Sequence, residues 1–200
     1  MAEEHPVRAG GPAVWPGERA MRADARRNYG RLVAAAREAF TEHGIEAHLD
    51  DIARRAAVGP GTLYRHFPTR EALLAAVYRG DVEEMAVRAN KLIETYPPGE
   101  ALASWLRLQL DYIKHKRGLG GAVKTMLAAD SETLAWCRET MRGALSVLLA
   151  QAQADGLVRS DVTAADVLRL VHAVGMASES APEDAERLLS IVLDGLRPRG

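Results

Sequence analysis

The fold of this chain is decided by residues 49–74, which read LDDIARRAAVGPGTLYRHFPTREALL. Apolar residues recur there at three- and four-residue spacing on both sides of a break, VGPG, at residues 58–61. Glycine relieves the backbone and proline can only begin a helix, so the break predicts two short helices, at Leu49–Ala57 and Thr62–Phe67. Two short helices joined by a tight glycine-containing turn are typical of a helix-turn-helix.

The second of these helices has two chemically different faces. At about 100° per residue, Leu63 and Phe67 point together toward an apolar core, and Arg65 points away from them. An arginine on such a face can bind guanine O6 and N7 in the major groove, while hydroxyl and imidazole groups donate to phosphates. We therefore expect this region to bind DNA. The candidate DNA-binding residues are Pro60, Gly61, Thr62, Tyr64, Arg65, His66 and, in the preceding arginine-rich stretch, Arg27.

These residues also carry a resemblance to a known family. Residues 51–74, with the core Gly-Thr-Leu-Tyr-x-His-Phe, resemble the DNA-binding domain of the TetR family of transcriptional repressors, and the likeness extends over about residues 26–78. The resemblance implies a homodimeric, all-helical, ligand-responsive repressor that binds a palindromic operator. It further implies phosphate contacts for Tyr64, His66 and Arg70.

Two positions depart from the family pattern. His48 stands where the family usually has a threonine that caps the second helix, and histidine is a poorer cap. Ala57 stands in the turn where glycine is usual. The alternative for the whole segment is an ordinary helical hairpin with a solvated polar face.

The remainder of the chain has helical periodicity and predicts an all-α fold. We expect a disordered tail at 1–21, a helix-turn-helix DNA-binding domain at 22–80, and a helical ligand-binding and dimerisation domain at 81–200. No stretch shows the sustained period-two alternation of a β-strand. The further helices are predicted at about 23–43, 70–95, 100–116, 119–129, 131–154, 163–178 and 182–196.

Composition and charge narrow the class of protein. With 200 residues, 48% hydrophobic and 26% charged, the chain is not a fully disordered one. Its net charge of −1 is unevenly divided, because residues 1–80 carry 12 Lys+Arg against 10 Asp+Glu and the rest carry 14 against 17. One cysteine, Cys137, excludes an intramolecular disulfide. Without a secretory signal or an apolar run long enough to span a bilayer, we expect a cytoplasmic protein.

The second domain contains apolar, methionine-rich helix faces that are typical of a small-molecule site. We expect an effector that is largely apolar. For each residue taken singly, ordinary core packing is the alternative. The candidate ligand-binding residues are Trp105, Tyr112, Met126, Trp136, Met141, His172 and Met176.

The last two helices each have an apolar stripe that predicts a homodimer surface. In the family that the chain resembles, such a pair of helices forms a four-helix bundle across a two-fold axis, and a palindromic operator mirrors that symmetry. The alternative is packing within one chain. The first stripe consists of Val167, Leu170, Val171 and Val174, and the second of Leu188, Leu189, Val192 and Leu196.

An all-α enzyme is the rival class of protein. The sequence contains no HExxH, GxSxG or CxxC motif and no phosphate-binding loop, and nothing in the spacing of Cys137 and His172 supports a nucleophile with its base. We expect no enzymatic activity, no cofactor, no metal site and no membrane partner. A DNA-binding regulator without a small ligand, whose second domain serves dimerisation or a protein partner, remains an alternative.

Overall fold

The computed structural model describes residues 16–115 and 131–198, with side chains described for 23–114 and 132–198. These ranges contain helices and no strand, which confirms the all-α prediction for them. The predicted helix at 119–129 and the candidate ligand residue Met126 lie outside the described residues. The helices are α1 (Pro16–His43), α2 (Leu49–Arg55), α3 (Pro60–His66), α4 (Arg70–Thr95), α5 (Pro98–His115), α6 (Ser131–Ala154), α7 (Ala164–Ala177) and α8 (Ala185–Gly195).

The ends of several helices follow from capping side chains. Thr69 caps α4, where its Oγ1 accepts from the amide of Ala72 at 3.2 Å. Thr163 and Asp166 form a reciprocal capping box at α7, in which the hydrogen bonds from Thr163 hold the pKa of Asp166 below its usual value. His48 precedes α2 without a side-chain cap, as its residue type predicts.

Two boundaries differ from the sequence prediction by more than two residues. Helix α1 begins at Pro16, several residues before the predicted start near 23 and inside the segment expected to be a tail; proline is compatible with the first position of a helix. The last predicted helix is divided into a 3₁₀ turn, Pro182–Asp184, and α8.

Helix α4 belongs to two hydrophobic cores. Its first half, including Leu73, Leu74 and Val77, packs in the N-terminal core, and its second half, including Val82 and Met85, packs in the C-terminal core. At 26 residues it is about 39 Å long. The domain boundary predicted at residue 80 therefore falls inside a continuous helix.

The largest fully buried side chains are Phe40, Leu32, Ile52, Leu63 and Leu73 in the N-terminal core, and Trp105, Leu106, Leu110, Leu145, Leu148 and Leu189 in the C-terminal core.

Helices α5 and α7 approach each other closely at Gly175. A Cβ atom built there would lie 2.5 Å from Cγ2 of Ile113. The glycine therefore sets the distance between these two helices.

Within the described ranges, no helix is both long and apolar enough to cross a membrane.

Candidate nucleic-acid interface

Helix α3 has the two faces that its sequence predicts. Leu63 and Phe67 are buried in the N-terminal core, against α1, α2 and α4. Tyr64 and Arg65 are exposed, and Thr62 is half-buried beside them. Arg65 forms no ion pair with any residue that the structure describes. Its guanidinium is therefore available to an external partner.

The exposed face of α3 begins at a proline. Pro60 stands at the first position of the helix, where the missing amide hydrogen costs nothing, and Gly59 precedes it as the N-cap. Pro60 and Gly61 are both exposed. The side chains that project from this end of α3 are short, so the backbone there can approach a flat or convex partner closely.

The turn between α2 and α3 is closed by a Schellman motif. The amide of Val58 donates to the carbonyl of Ala53 at 3.0 Å, and the amide of Ala57 donates to the carbonyl of Arg54 at 3.0 Å. Ala57 has φ of 51°, in the left-handed region that favours glycine. The departure noted in the sequence therefore falls on the one turn residue whose backbone conformation makes alanine unfavourable.

Tyr29 of α1 supports the C-terminal end of α3. Its ring contacts the His66 ring edge-on, with 6.2 Å between the two ring centroids. The centroids of the Tyr29 and Phe67 rings lie 5.1 Å apart. Such aromatic contacts fix the orientation of a ring as well as burying it. Sequence reasoning missed Tyr29, although its position three residues before the buried Leu32 places it on the same side of α1.

Arg70 lies against the segment that joins α1 to α2. Its Nη1 donates to the carbonyl oxygens of Ile45 at 2.5 Å and Ala47 at 2.6 Å. The guanidinium thus satisfies two backbone acceptors just before α2 begins. The family resemblance implies a phosphate contact for Arg70, and the sequence contains no signal for this internal role.

The other arginines near α3 are paired on the surface. Arg27 forms an ion pair with Asp24 one helical turn away, with both side chains well exposed. Arg55 donates to Glu42 at 2.6 Å, joining α2 to α1, and this hydrogen bond lowers the pKa of the Glu42 carboxyl. Exposed ion pairs of this kind are weak and exchange readily for other partners.

The candidate ligand-binding residues are not gathered in one place. Trp105 and Met141 are buried in the C-terminal core, and Trp105 Nε1 donates to the carbonyl of Met85 at 3.1 Å. Trp136 is half-buried under the guanidinium of Arg79, 4.7 Å from its ring centroid. His172 and Met176 lie on the exposed face of α7.

Tyr112 is the candidate ligand residue that lines a cleft. This cleft, which we call the junction cleft, lies where α1, α4 and α5 meet and has a volume of about 400 Å³. Burial raises the pKa of the Tyr112 phenol well above its usual value. The lining residues are Arg37, Phe40, Thr41, Leu74, Val77, Tyr78, Asp81, Glu84, Met85, Arg88, Leu108, Asp111 and Tyr112.

The stripes predicted to form a dimer surface are mostly buried within the chain. Val167, Val171 and Val174 of α7 and Leu189 and Leu196 near the C-terminus pack in the C-terminal core. Sequence periodicity finds the apolar face of a helix but does not say whether the same chain or another one covers it. The large exposed apolar side chains of these two helices are Leu170, Met176 and Ile191, of which only Leu170 belongs to a predicted stripe.

Both parts of the chain match known protein families. Residues 32–77 match the family described as bacterial regulatory proteins, tetR family. Residues 97–198, about half of the chain, match the family described as transcriptional regulator SbtR-like, C-terminal domain. The first match covers the helix-turn-helix and the start of α4, and the second covers α5 to α8.

Individual relatives resemble the chain to different extents. The TetR transcriptional regulator SCO0520 from Streptomyces coelicolor is 40% identical with a TM-score of 0.73, over 86% of this chain and 99% of that chain. The TetR transcription regulatory protein from Mycobacterium vanbaalenii is 33% identical with a TM-score of 0.68, over 89% and 99%. The HTH-type transcriptional regulator UidR of Escherichia coli (strain K12) is 39% identical over 75 residues, 37% of this chain and only 38% of UidR.

A more distant structure shares the fold alone. RolR, solved in complex with the ligand resorcinol, is 20% identical with a TM-score of 0.61, over 88% of this chain and 90% of RolR.

Proposed function

Because this chain belongs to the TetR family of transcriptional regulators, we propose that it is a cytoplasmic repressor that binds an inverted-repeat operator as a homodimer. We further propose that a small-molecule effector releases it from DNA. The observation that carries the proposal is the exposed face of α3, where Arg65 and Tyr64 project opposite the buried Leu63 and Phe67. A regulator of this kind needs no catalytic group, and it is not an enzyme in this account.

In the proposed complex, α3 enters the major groove, and its side chains contact either bases or phosphates. Arg65 reads a guanine through O6 and N7, since its guanidinium is exposed and unpaired within the described residues. Tyr64 and His66 donate to phosphates and fix the register of the helix. Thr62 donates to phosphate from the edge of the same face.

Arg70 supports DNA binding indirectly in this proposal. Its two hydrogen bonds to the segment before α2 hold that helix in place behind α3. A side chain engaged in this way positions the DNA-binding surface and contributes no charge to the phosphate contacts.

Dimerisation places two copies of α3 on one face of the DNA. We propose that the interface uses the exposed apolar residues of the last two helices, Leu170, Met176 and Ile191. Apolar side chains of this size lose unfavourable contact with water when a second copy covers them. Two-fold symmetry then presents the recognition helices to half-sites about one helical turn or slightly more apart.

An effector acts in this account by shifting α4. That helix is shared by both cores, so a ligand that changes its position relative to α5 also changes the position of the DNA-binding domain. Such a ligand weakens DNA binding to the extent that it prefers the shifted conformation. RolR, which shares the fold, was solved in complex with resorcinol, and this supports a ligand-responsive role here.

The proposal is tested by selecting bound sequences from a random DNA pool with the full chain. We expect an inverted repeat with two half-sites, because a symmetric dimer reads the same sequence twice. A variant with Arg65→Ala serves as the comparison. Failure of the wild-type chain to enrich any sequence would contradict DNA recognition, and enrichment of a single half-site would contradict the dimer.

A further inference from the structure

We propose that the junction cleft is the effector site and that it takes an organic cation with an apolar body. The charged group of the ligand would replace the guanidinium of Arg37 on the carboxylate of Asp81. The release of DNA by this ligand rests on the function proposed above, whereas binding in the cleft is independent of it.

The cleft has the size and the walls for an amphipathic molecule. Its volume of about 400 Å³ lies within the usual range for small-molecule sites, about 300–1,000 Å³. Phe40, Leu74, Val77 and Met85 are buried and form an apolar floor. The face of an aromatic ring attracts cations, and Tyr112 places such a ring in the lining.

The ion pair in the cleft determines the charge of its ligand. Nε of Arg37 lies 2.6 Å from Oδ1 of Asp81, but the Asp81 side chain is only 11% exposed while that of Arg37 is 40% exposed. An anion that took Arg37 would separate the buried Asp81 carboxylate from this guanidinium, which is costly. A cation that took Asp81 would keep a positive charge beside the buried carboxylate, while Arg37, the more exposed partner, would stay with Glu84.

The remaining charged groups of the cleft are already paired near its rim. Glu84 accepts from Arg88 at 2.6 Å and from Arg37 at 3.2 Å, and the hydrogen bond from Arg88 lowers the pKa of the Glu84 carboxyl. Asp111 lies 3.7 Å from Nζ of Lys114. Because Glu84 also binds Arg37, it can retain the guanidinium after Asp81 has exchanged it for a ligand.

Occupancy of the cleft would change the contact between two domains. Arg37 belongs to α1 of the N-terminal core, and Asp81 lies in the second half of α4. Leu108 and Tyr112 bring in α5 from the C-terminal core. A cation on Asp81 therefore removes one of the two ion pairs that Arg37 of α1 makes with α4, while it adds contacts to α5, which couples ligand binding to the position of the DNA-binding domain.

Three probes with one apolar body and different charge test the site: 4-phenylbutylamine, 4-phenylbutanol and 4-phenylbutyrate. Each is titrated calorimetrically into the full chain without DNA. We expect the amine to bind at least about tenfold more tightly than the alcohol, and the acid to bind most weakly. Equal affinities, tighter binding of the acid, or no binding of the amine up to about 10 mM would overturn the proposal.

Variants of the ion pair give a second test, because the two substitutions are expected to change the amine affinity in opposite directions. Asp81→Asn should weaken amine binding by about tenfold or more, and Arg37→Ala should strengthen it because the competing guanidinium is gone. Glu94→Gln, which removes an exposed carboxylate from the same helix outside the cleft, should leave the affinity unchanged. Amine affinities that fall in both ion-pair variants would indicate a loosened structure and overturn the assignment.

An experiment with the selected operator DNA distinguishes the assignment of the cleft as the effector site from the proposed DNA-binding function. If the amine binds with the expected variant pattern but does not release DNA, the site stands and the coupling to DNA binding is wrong. If the amine fails to bind while the chain still selects an inverted repeat, the DNA-binding function stands and the assignment of the cleft is wrong.

Discussion

At the scale of single residues, Ala57 is the position where residue type and backbone conformation disagree. Its φ of 51° places it in the left-handed region, which costs an alanine about 1–2 kcal/mol. Part of this cost is offset because alanine restricts the unfolded chain more than glycine does. We therefore expect Ala57→Gly to raise the free energy of unfolding by about 0.5–1 kcal/mol, measured by urea denaturation.

The control for this variant is Ala34→Gly, at an exposed position inside α1. There the backbone is helical and glycine should lower the free energy of unfolding by about 1 kcal/mol. If both substitutions destabilise the chain to the same degree, the turn does not have the left-handed conformation described.

Arg70 shows what single-residue reasoning could not predict. Leu63 and Phe67 were assigned correctly to the core because helical periodicity alone separates the two faces of α3. The partner of a long arginine side chain depends on which backbone segment the tertiary fold brings within reach, and here that segment lies 23–25 residues earlier in the chain. The same limitation hid the contact between Tyr29 and His66.

Salt dependence distinguishes the two roles of Arg70. If it positions α2, Arg70→Ala should weaken binding to all DNA sequences while the slope of log K against log salt stays unchanged. If Arg70 instead binds a phosphate, its removal should decrease the magnitude of that slope by about one. Fluorescence anisotropy titrations over a range of salt concentrations measure both quantities, and a reduced slope would contradict the positioning role.

At the scale of helices, the sequence predicted most elements, because glycine, proline and capping residues mark their ends. It could not predict the distance between helices. Gly175 has the same appearance in the sequence as any glycine inside a helix, yet a Cβ atom there would meet Ile113 at 2.5 Å. Nor did an apolar stripe show which helices would cover it, and Val167 and Val171 proved to pack within the chain.

We expect Gly175→Ala to lower the free energy of unfolding by about 1–3 kcal/mol, since the added methyl group forces α5 and α7 apart. Gly143→Ala is the control, because a Cβ atom there would meet nothing within 4 Å and alanine favours a helix. Combining Gly175→Ala with Ile113→Ala should recover part of the loss. A Gly175→Ala variant as stable as the Gly143→Ala variant would contradict the close approach.

At the scale of the whole molecule, the net charge of −1 conceals the division of the chain into a DNA-binding part and a part with excess acidic residues. The modest excess of basic residues before residue 80 provides limited electrostatic attraction to DNA. Specific binding in this account therefore depends on two correctly spaced recognition helices, and so on the dimer.

Ile191→Glu tests the dimer surface. A charge at this exposed apolar position should convert the dimer to a monomer, because burying an unpaired carboxylate in an interface is unfavourable. Analytical ultracentrifugation measures the mass directly. Val87→Glu, which places the same charge at an exposed valine of α4, should remain dimeric, and a dimeric Ile191→Glu variant would show that the interface lies elsewhere.

The most direct test of the central claim is the base preference of the Arg65→Ala variant on the operator that the wild-type chain selects. We expect this variant to lose discrimination at one guanine position in each half-site, at a cost of about 1–3 kcal/mol, while the other positions keep their preference. Arg107→Ala, on the exposed face of α5, should change nothing. An Arg65→Ala variant that retains the wild-type preference at every position would contradict the reading of DNA by α3.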